Sequence, residues 1–423
     1  MVRRFLPYTV FILSIFSFMG LHAVASPRDI PLTGDAVPEM KSVDQSFMLL
    51  MKKYEIAGGQ VAVARSGRLL YARGFGYGDK ERAQPVSPAA LFRIASISKT
   101  ITAVAVMELV QQGKLSLDDK AFALLDNLKS PEGSQPDKRL PDITVRNLLE
   151  HSGGWTWENG DPQFTASRIA ADAVHEARPA SATAIVRYMM SQPLGFTPGT
   201  QFAYSNFGYN VLGRIIEHVS GRPYEEYVGK EVLARAGITR MQLGRTRLQD
   251  RLPDEVWYDD GPEADTRWSV FEEETSPVPL SYGDFALESL DAHGGWVGSA
   301  VDLLRLVRAV DGKSHVIRIL TPESVKVMTE RPRLPEYERK SRYYAKGWVV
   351  DVDKGLWNNT GALTWGTSSV LYRFKNDVSI AVLFNHLPRD VESFFAEIES
   401  VTIPKALGSI TFWPKHDLFS KFP

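Results

Sequence analysis

The pattern of apolar and polar positions predicts a helix and two strands near the N-terminus. Apolar residues recur at helical spacing over residues 43–54, which predicts an amphipathic first helix. Residues 60–64 and 69–75 are two short apolar runs, and the segment between them, Arg65-Ser66-Gly67-Arg68, is typical of a hairpin connection. The chain therefore begins its folded part with a helix followed by a β-hairpin.

The same kind of pattern returns near the C-terminus. Four strand-like runs are predicted there, at residues 348–352, 357–363, 368–374 and 379–384, and residues 392–401 have helical spacing. Strands at both ends with helices between them predict an α+β fold. In this fold, an antiparallel sheet built from N- and C-terminal strands is flanked by helices.

The region between the two sets of strands, about residues 115–280, is predicted to be an inserted, mostly helical region. Residues 185–190, 208–219 and 224–234 have helical spacing, and Ser299 is predicted to cap a helix through residue 310. Residues 254–281 are acidic, aromatic and without clear periodicity, which is typical of a lid or a binding loop. Its aromatic side chains could line such a lid or could pack as ordinary loop residues; they are Trp257, Tyr258 and Trp268.

Composition narrows the class of protein. The chain has 423 residues, of which 44% are hydrophobic and 23% charged, and its formal net charge is −1. This balance is typical of a large globular domain and gives no basic surface for a nucleic acid. We expect a linker over residues 26–40, one large domain over residues 41–405, and a C-terminal tail over residues 406–423. The chain has no cysteine, so no disulfide can stabilise it.

The first 25 residues have the features of a signal peptide. Arg3 and Arg4 provide a basic start, residues 5–24 are mostly apolar, and Ala23 and Ala25 are the small residues that precede a cleavage site. We expect cleavage before Ser26 and export to the periplasm or the medium, without stable membrane insertion afterwards. A retained membrane anchor is the alternative.

Ser96 and Lys99 form the only Ser-x-x-Lys sequence of the chain. An apolar run ends at Ser96 and a helical pattern begins there, so the lysine amine would lie beside the serine hydroxyl, one turn away. Free N–H groups at a helix N-terminus also favour a developing negative charge. This arrangement is typical of an activated nucleophile with an adjacent base. The alternative is a serine that caps a helix, followed by a solvated lysine.

A second motif, Tyr204-Ser205-Asn206, follows a Pro-Gly-Thr turn and precedes a helical pattern. With this motif the chain resembles the class C beta-lactamase family, which includes penicillin-binding carboxypeptidases, D-aminopeptidases and esterases. The resemblance covers roughly residues 41–401, and the other stretches that carry it are residues 92–99, 144–154, 294–303 and 360–362. It implies the beta-lactamase/DD-peptidase-like fold.

The resemblance also implies roles for individual residues. Ser96 would be the acyl nucleophile, Lys99 would lower the cost of its deprotonation, and Tyr204, as a phenolate or a phenol, would relay protons and form the base pair with Lys99. Asn206 would bind the lysine or the substrate amide. The backbone N–H groups of Ser96 and Ala362 would form the oxyanion hole, and the chemistry would require neither a metal nor another cofactor.

The third motif departs from the family pattern. Asn359-Thr360-Gly361 stands where the family has Lys-Thr-Gly or His-x-Gly, so an amide replaces a cation at a position predicted to bind substrate. Gly361 retains the close backbone approach that pairing of a substrate with this strand requires. His293, before a glycine pair, could supply the missing polar group, or could be an ordinary turn histidine. The loss of the cation argues against fast beta-lactamase turnover.

The residues and the resemblance together predict an exported serine hydrolase that cleaves an ester, a small amide or a peptide. One alternative is a DD-peptidase or beta-lactamase, and another is a non-catalytic binding or sensor protein on the same fold. His151 is expected to be a structural residue at a helix end, and the histidines lack the spacing of metal ligands. The substrate and the oligomeric state are left open.

Overall fold

An antiparallel sheet made from both ends of the chain organises the fold. The computed structural model describes residues 30–156, 161–261, 266–311, 318–363 and 366–422. The predicted signal peptide, residues 1–25, lies outside the described residues. The strands are β1 (Leu32–Thr33), β2 (Gly58–Arg65), β3 (Arg68–Gly76), β4 (Phe92–Arg93), β5 (Gln242–Leu243), β6 (Thr266–Arg267), β7 (Val278–Pro279), β8 (Trp296–Gly298), β9 (Arg342–Tyr344), β10 (Val349–Asp351), β11 (Leu356–Leu363), β12 (Thr367–Phe374) and β13 (Val378–Phe384).

Helices fill the chain between the strands. They are α1 (Lys41–Lys53), α2 (Ser98–Gln111), α3 (Ala121–Leu124), α4 (Val145–Leu149), α5 (Pro162–Thr165), α6 (Ser167–Val174), α7 (Ala182–Met189), α8 (Asn206–Ser220), α9 (Tyr224–Val228), α10 (Leu287–Gly294), α11 (Ala300–Val310), α12 (Pro322–Met328), α13 (Val391–Glu397) and α14 (Ile403–Gly408). Shorter 3-10 turns include Ala95–Ile97, and π-helical turns occur at Gly229–Leu233 and Ile398–Thr402. The predicted helix over residues 224–234 is therefore helical throughout, with α-helical bonding that changes to π-helical bonding at Gly229.

The main sheet has the order β1-β3-β2-β13-β12-β11-β10-β9, and its neighbouring strands are antiparallel. The predicted hairpin is confirmed: β2 and β3 are joined at Ser66 and Gly67, which both have positive φ, as two-residue hairpin turns require. β13 pairs with the whole of β2, so the C-terminal strands extend the N-terminal hairpin. The predicted α+β architecture is confirmed.

Helix α2 lies at the centre of the molecule. Its residues from Ser98 to Leu109 are all buried, and it contacts α8 and α10 of the helical layers. A helix that is buried on every side is enclosed by other elements. The enclosure fixes the position of the turn before α2, which carries Ser96.

The long loop over residues 254–281 is not a uniform lid. β6 and β7 pair within it, and Trp268 is 64% exposed. Tyr258, in contrast, is buried, and its ring lies 4.4 Å from the guanidinium of Arg93. Its hydroxyl donates to Glu255, and Glu255 also lies 3.6 Å from Arg93. Tyr258 is therefore an interior residue whose ring packs against the buried Arg93.

The segments predicted to flank the domain on either side also pack on the sheet. Leu32 and Thr33 pair with β3, so part of the predicted linker belongs to the sheet. In the predicted tail, the N–H of Leu418 donates to the carbonyl of Leu69 at 2.8 Å, and Phe419 is buried. Among the helices of the described ranges, none has the length and apolarity that a membrane crossing requires.

Candidate active site

Ser96 lies in the 3-10 turn Ala95–Ile97, between β4 and α2. The preceding Ala95 has a left-handed φ of 50°, which is uncommon for a residue other than glycine. Ser369 on β12 donates to the carbonyl of Ile94 at 2.7 Å and so ties this turn to the sheet. Ser96 is half-buried at the surface of the turn, two residues before the start of α2, rather than capping that helix.

The amine of Lys99 lies beside the Ser96 hydroxyl, as the spacing predicts. Its Nζ is 3.0 Å from Ser96 Oγ and 2.9 Å from the carbonyl oxygen of His293. Lys99 is only 1% exposed, and burial lowers the pKa of its amine to about 7, against a smaller opposing effect from Asp161. A large fraction of this lysine is therefore neutral near pH 7 and able to accept a proton.

Tyr204 approaches the same oxygen from the helical region. Its hydroxyl donates to Ser96 Oγ at 2.9 Å, and its ring centroid is 4.9 Å from Lys99 Nζ. Tyr204 is 36% exposed, so it borders open space. Desolvation raises the pKa of the phenol, and the charge of Asp161 raises it further. The phenol is therefore protonated near neutral pH and suited to donate a proton.

Asn359 holds the nucleophile turn in place. Its amide nitrogen lies 3.2 Å from the carbonyl oxygen of Ser96, 3.0 Å from Thr100 Oγ1 and 3.3 Å from the carbonyl oxygen of Gly347. Its Oδ1 accepts the N–H of Thr360. The amide is therefore engaged by the protein, and binding of substrate by this side chain stays a prediction.

His293 contacts Lys99 through its backbone. Its carbonyl oxygen accepts a hydrogen bond from Lys99. The imidazole is buried, and that burial holds its pKa well below the usual range, with a further contribution from Lys99. The ring is therefore neutral and enclosed, and the expectation that it supplies the missing polar group stays a prediction. His293 orients the lysine through its backbone.

Asn206 begins α8 and faces Asp161, a residue that sequence reasoning missed. Its amide nitrogen donates to the Asp161 carboxylate, whereas the prediction had it bind the lysine or the substrate amide. The remaining oxygens, Asn206 Oδ1 and Asp161 Oδ1, are buried without a hydrogen-bond partner among the described residues. Burial raises the pKa of Asp161. No motif marks Asp161; an Asp-Pro pair at a helix start was its only signal.

Strand β11 lies against the nucleophile turn. A Cβ added to Gly361 would lie 2.4 Å from the Ile94 carbonyl oxygen and 3.0 Å from Ala95 Cβ, so only glycine permits this approach. β10 pairs with residues 356–358 alone, which leaves the edge of β11 from Asn359 to Leu363 uncovered by β10. That edge includes Thr360 and Ala362, which are predicted to contact the substrate.

His151 packs on Tyr204. Its ring centroid lies 4.4 Å from that of Tyr204, and its Nδ1 accepts the N–H of Ser205 at 3.1 Å. Within the described ranges, no group of three or more His, Asp or Glu side chains is arranged to hold a metal ion.

Comparison with known proteins agrees with this geometry. The family model described as Beta-lactamase matches residues 43–399. The chain belongs to the beta-lactamase family. Protein flp of Staphylococcus aureus (strain COL) is 24% identical over 372 residues, covering 87% of this chain and 67% of that protein. Esterase EstB of Burkholderia gladioli is 28% identical over 298 residues, covering 65% of this chain and 71% of the esterase.

A solved structure shows the same fold. The D-amino acid amidase from Ochrobactrum anthropi SV3, complexed with L-phenylalanine amide, superposes with a TM-score of 0.66 at 21% identity. The match covers 88% of this chain and 99% of the amidase. The predicted beta-lactamase/DD-peptidase-like fold is confirmed, and the chain is a serine hydrolase of this beta-lactamase-related group.

Proposed function

We propose that this beta-lactamase-family protein cleaves an ester or a small amide through an acyl-enzyme on Ser96. The observation that carries the proposal is the convergence of two groups on one oxygen. Lys99 Nζ lies 3.0 Å and the Tyr204 hydroxyl 2.9 Å from Ser96 Oγ. General bases and acids act at such hydrogen-bond distances.

In the first step, neutral Lys99 takes the hydroxyl proton while Ser96 Oγ attacks the carbonyl carbon of the substrate. The oxyanion that forms would be bound by the N–H groups of Ser96 and Ala362, as the resemblance implies. The close approach of Gly361 to Ala95 supports this, because it brings the following N–H of β11 towards the turn. A donor of this kind contributes about 2.7–4 kcal/mol.

In the second step, the tetrahedral intermediate expels its alcohol or amine. The protonated phenol of Tyr204 gives its proton to that leaving group and recovers one from the Lys99 ammonium. Water then attacks the acyl carbon and gives a proton to Lys99. As the bond between that carbon and Ser96 Oγ breaks, Ser96 Oγ takes a proton from the Tyr204 phenol, the phenol regains one from the Lys99 ammonium, and the free acid leaves. The leaving alcohol or amine, and later Ser96, each receive one proton as the bond to the acyl carbon breaks.

The same site argues against fast beta-lactam turnover, the second candidate function. A penicillin carries a carboxylate, and the family position that offers it a cation is Asn359 here. The Asn359 amide nitrogen is already within 3.0–3.3 Å of three protein oxygens. Neutral esters and amides of the kind named for EstB and the amidase are the better substrates.

The test is labelling by a fluorophosphonate, followed by intact-mass measurement. We expect one adduct on the wild type, one on Ser98→Ala and none on Ser96→Ala. Ser98 is the matched control because it lies two residues away and is buried, where it accepts the N–H of Trp296. Equal labelling of Ser96→Ala would reject Ser96 as the nucleophile and place the reactive group elsewhere, whereas an unlabelled wild type would favour a binding protein. Initial rates with p-nitrophenyl acetate, D-amino acid amides and nitrocefin then rank the substrates.

We also propose that the protein is exported. The support is the basic start at Arg3 and Arg4, the apolar residues 5–24, and the small residues before Ser26. N-terminal sequencing of protein recovered from the exported fraction of the native host should begin at Ser26. An intact N-terminus in a membrane fraction would favour the retained anchor instead.

A further inference from the structure

We infer that His151 is a positioning residue that holds the phenol of Tyr204 against Ser96. The inference rests on the proposed function, since it assigns a task within that reaction. It also assigns more to His151 than the structural role expected at the end of α4.

His151 contacts the segment of residues 203–205, which carries Tyr204, at three points. Its carbonyl oxygen accepts the N–H of Ala203 at 2.8 Å, and its Nδ1 accepts the N–H of Ser205 at 3.1 Å. Its ring lies against that of Tyr204, with centroids 4.4 Å apart and planes tilted by 37°. The residues before and after Tyr204, and the tyrosine ring, are therefore all placed by one side chain and its backbone.

His151 is itself held firmly. It follows α4, whose capping box joins Thr144 and Asn147, and it takes a left-handed φ of 53° that ends the helix. The residue is 1% exposed. Aromatic rings surround the imidazole at centroid distances of 5.8 Å (Phe202), 5.2 Å (Tyr209) and 4.4 Å (Tyr344). A buried ring enclosed in this way has little freedom to turn.

The hydrogen bond to Ser205 also defines the state of the imidazole. Because Nδ1 accepts an N–H, the proton of the neutral ring lies on Nε2. Burial holds the pKa of His151 well below its usual range, and the nearby Lys99 amine adds to this effect. His151 therefore remains a neutral acceptor and takes no part in proton transfer.

The position of the phenol matters most when the leaving group needs a proton. A p-nitrophenolate leaves readily without one, whereas an ethoxide does not. If His151 acts through Tyr204, its loss should slow the ethyl ester of a given acid far more than the p-nitrophenyl ester of the same acid. A purely structural role would slow both esters alike.

The test compares His151→Phe, which keeps a ring but removes Nδ1, with His151→Asn, which keeps an acceptor and tolerates left-handed φ. We expect kcat on the ethyl ester to fall about 10- to 100-fold in His151→Phe, as expected for a misplaced group. We expect less than about a threefold fall on the p-nitrophenyl ester, an almost unchanged KM, and partial recovery in His151→Asn.

His386→Phe is the control, because the Nδ1 of His386 also bonds to the backbone, at the carbonyl oxygen of Asp259, although His386 is half-buried whereas His151 is buried. It should leave kcat on both esters unchanged. Combining His151→Phe with Tyr204→Phe should cost no more than Tyr204→Phe alone. If His151→Phe does not fold, His151→Ala serves in the same comparison.

Equal losses on both esters, or additive losses in the double variant, would overturn the inference. Either result is distinguishable from failure of the proposed function. If the proposed function failed, the wild type would already fail to take up the fluorophosphonate on Ser96. The ester comparison is therefore read only on proteins that are labelled.

Discussion

The two walls of the candidate active site are built differently. One, the nucleophile wall, consists of Ser96, Lys99 and Asn359, and the Lys99 and Asn359 nitrogens bind several protein oxygens. The other, the tyrosine wall, consists of Tyr204, Asn206, Asp161 and His151. There, Asn206 Oδ1, Asp161 Oδ1 and His151 Nε2 are buried without a partner among the described residues.

The difference indicates a division of tasks. The nucleophile wall is satisfied and enclosed, so it holds the reacting oxygen and its base in one arrangement before substrate arrives. Preorganisation of this kind lowers the cost of reaching the transition state. The tyrosine wall retains unsatisfied polar atoms and the exposed face of Tyr204, and a buried polar atom without a partner favours binding one. The proton delivery that we propose for Tyr204 belongs to that side.

Removing the base should produce the largest effect. Lys99→Met should lower kcat/KM by about 10²- to 10⁴-fold, the usual contribution of a general base. Fluorophosphonate labelling should slow in parallel, while Tyr204 remains in place. A variant with near wild-type rates would show that the nucleophile wall does not depend on its lysine.

The same variant should be more stable than the wild type, and more so at pH 6 than at pH 9. The pKa of Lys99 is about 7 in the folded protein, against an ordinary value of 10.5. Below pH 7 both states carry the ammonium, and the folded state bears the full cost of burying it; this cost fades as the pH rises to 10.5. Thermal unfolding of both proteins across this range measures the difference.

Lys346→Met is the control for stability. Lys346 is also 1% exposed, but its amine lies 2.7 Å from the Glu150 carboxylate. Its replacement leaves a buried carboxylate unpaired, so the Tm should fall instead of rising. A stabilised Lys346→Met would mean that loss of any buried lysine stabilises this fold, whatever its partner.

Loosening the nucleophile turn should have an intermediate effect. Asn359→Ala removes the donor shared by the Ser96 carbonyl and two neighbours, so we expect kcat to fall about 10- to 100-fold. The free energy of unfolding should fall by about 1–3 kcal/mol, because buried acceptors lose their partner. Steady-state kinetics and urea denaturation measure the two.

Asn358→Ala tests whether that loss is specific to the side chain facing the turn. Asn358 is the preceding residue of β11 and is also buried, but its amide nitrogen has no hydrogen-bond partner among the described residues. It should retain most of the activity. Equal kinetic losses in the two variants would show that the strand as a whole, and not the Asn359 side chain, positions the nucleophile Ser96.

Removing the charge of the tyrosine wall should have the smallest effect. The Asp161 carboxylate raises the pKa of Lys99, opposing the effect of burial. Asp161→Asn should therefore lower that pKa and move the rising limb of the pH–rate profile to lower pH. At pH 6, kcat/KM should increase roughly two- to fivefold, with the alkaline plateau unchanged.

Asp172→Asn is the control for this shift, since Asp172 is an exposed acid of the helical region that pairs with Arg178. Its pH–rate profile should coincide with that of the wild type. A rising limb that keeps its wild-type position in Asp161→Asn would mean that the two walls are not coupled through charge.

Local spacing accounts for the parts of the fold and site that the sequence predicted. The hairpin at Ser66-Gly67, the capping box at Ser299 and the pairing of Ser96 with Lys99 each depend on residues no more than three or four apart. Over such distances, helix and turn geometry alone decides which side chains meet. The family resemblance added Tyr204, which lies 108 residues from Ser96.

Only the tertiary structure decided what Asn359, His151 and Asp161 do. Asn359 reaches the Ser96 carbonyl across 263 residues of chain, and His151 reaches Ser205 across 54. Contacts at such separations depend on how the sheet, α2 and the helical region pack, because no local geometry relates those segments. The sequence by itself thus determined the reacting serine–lysine pair and the α+β architecture. Packing determined which surrounding groups hold that pair in place and which face the substrate.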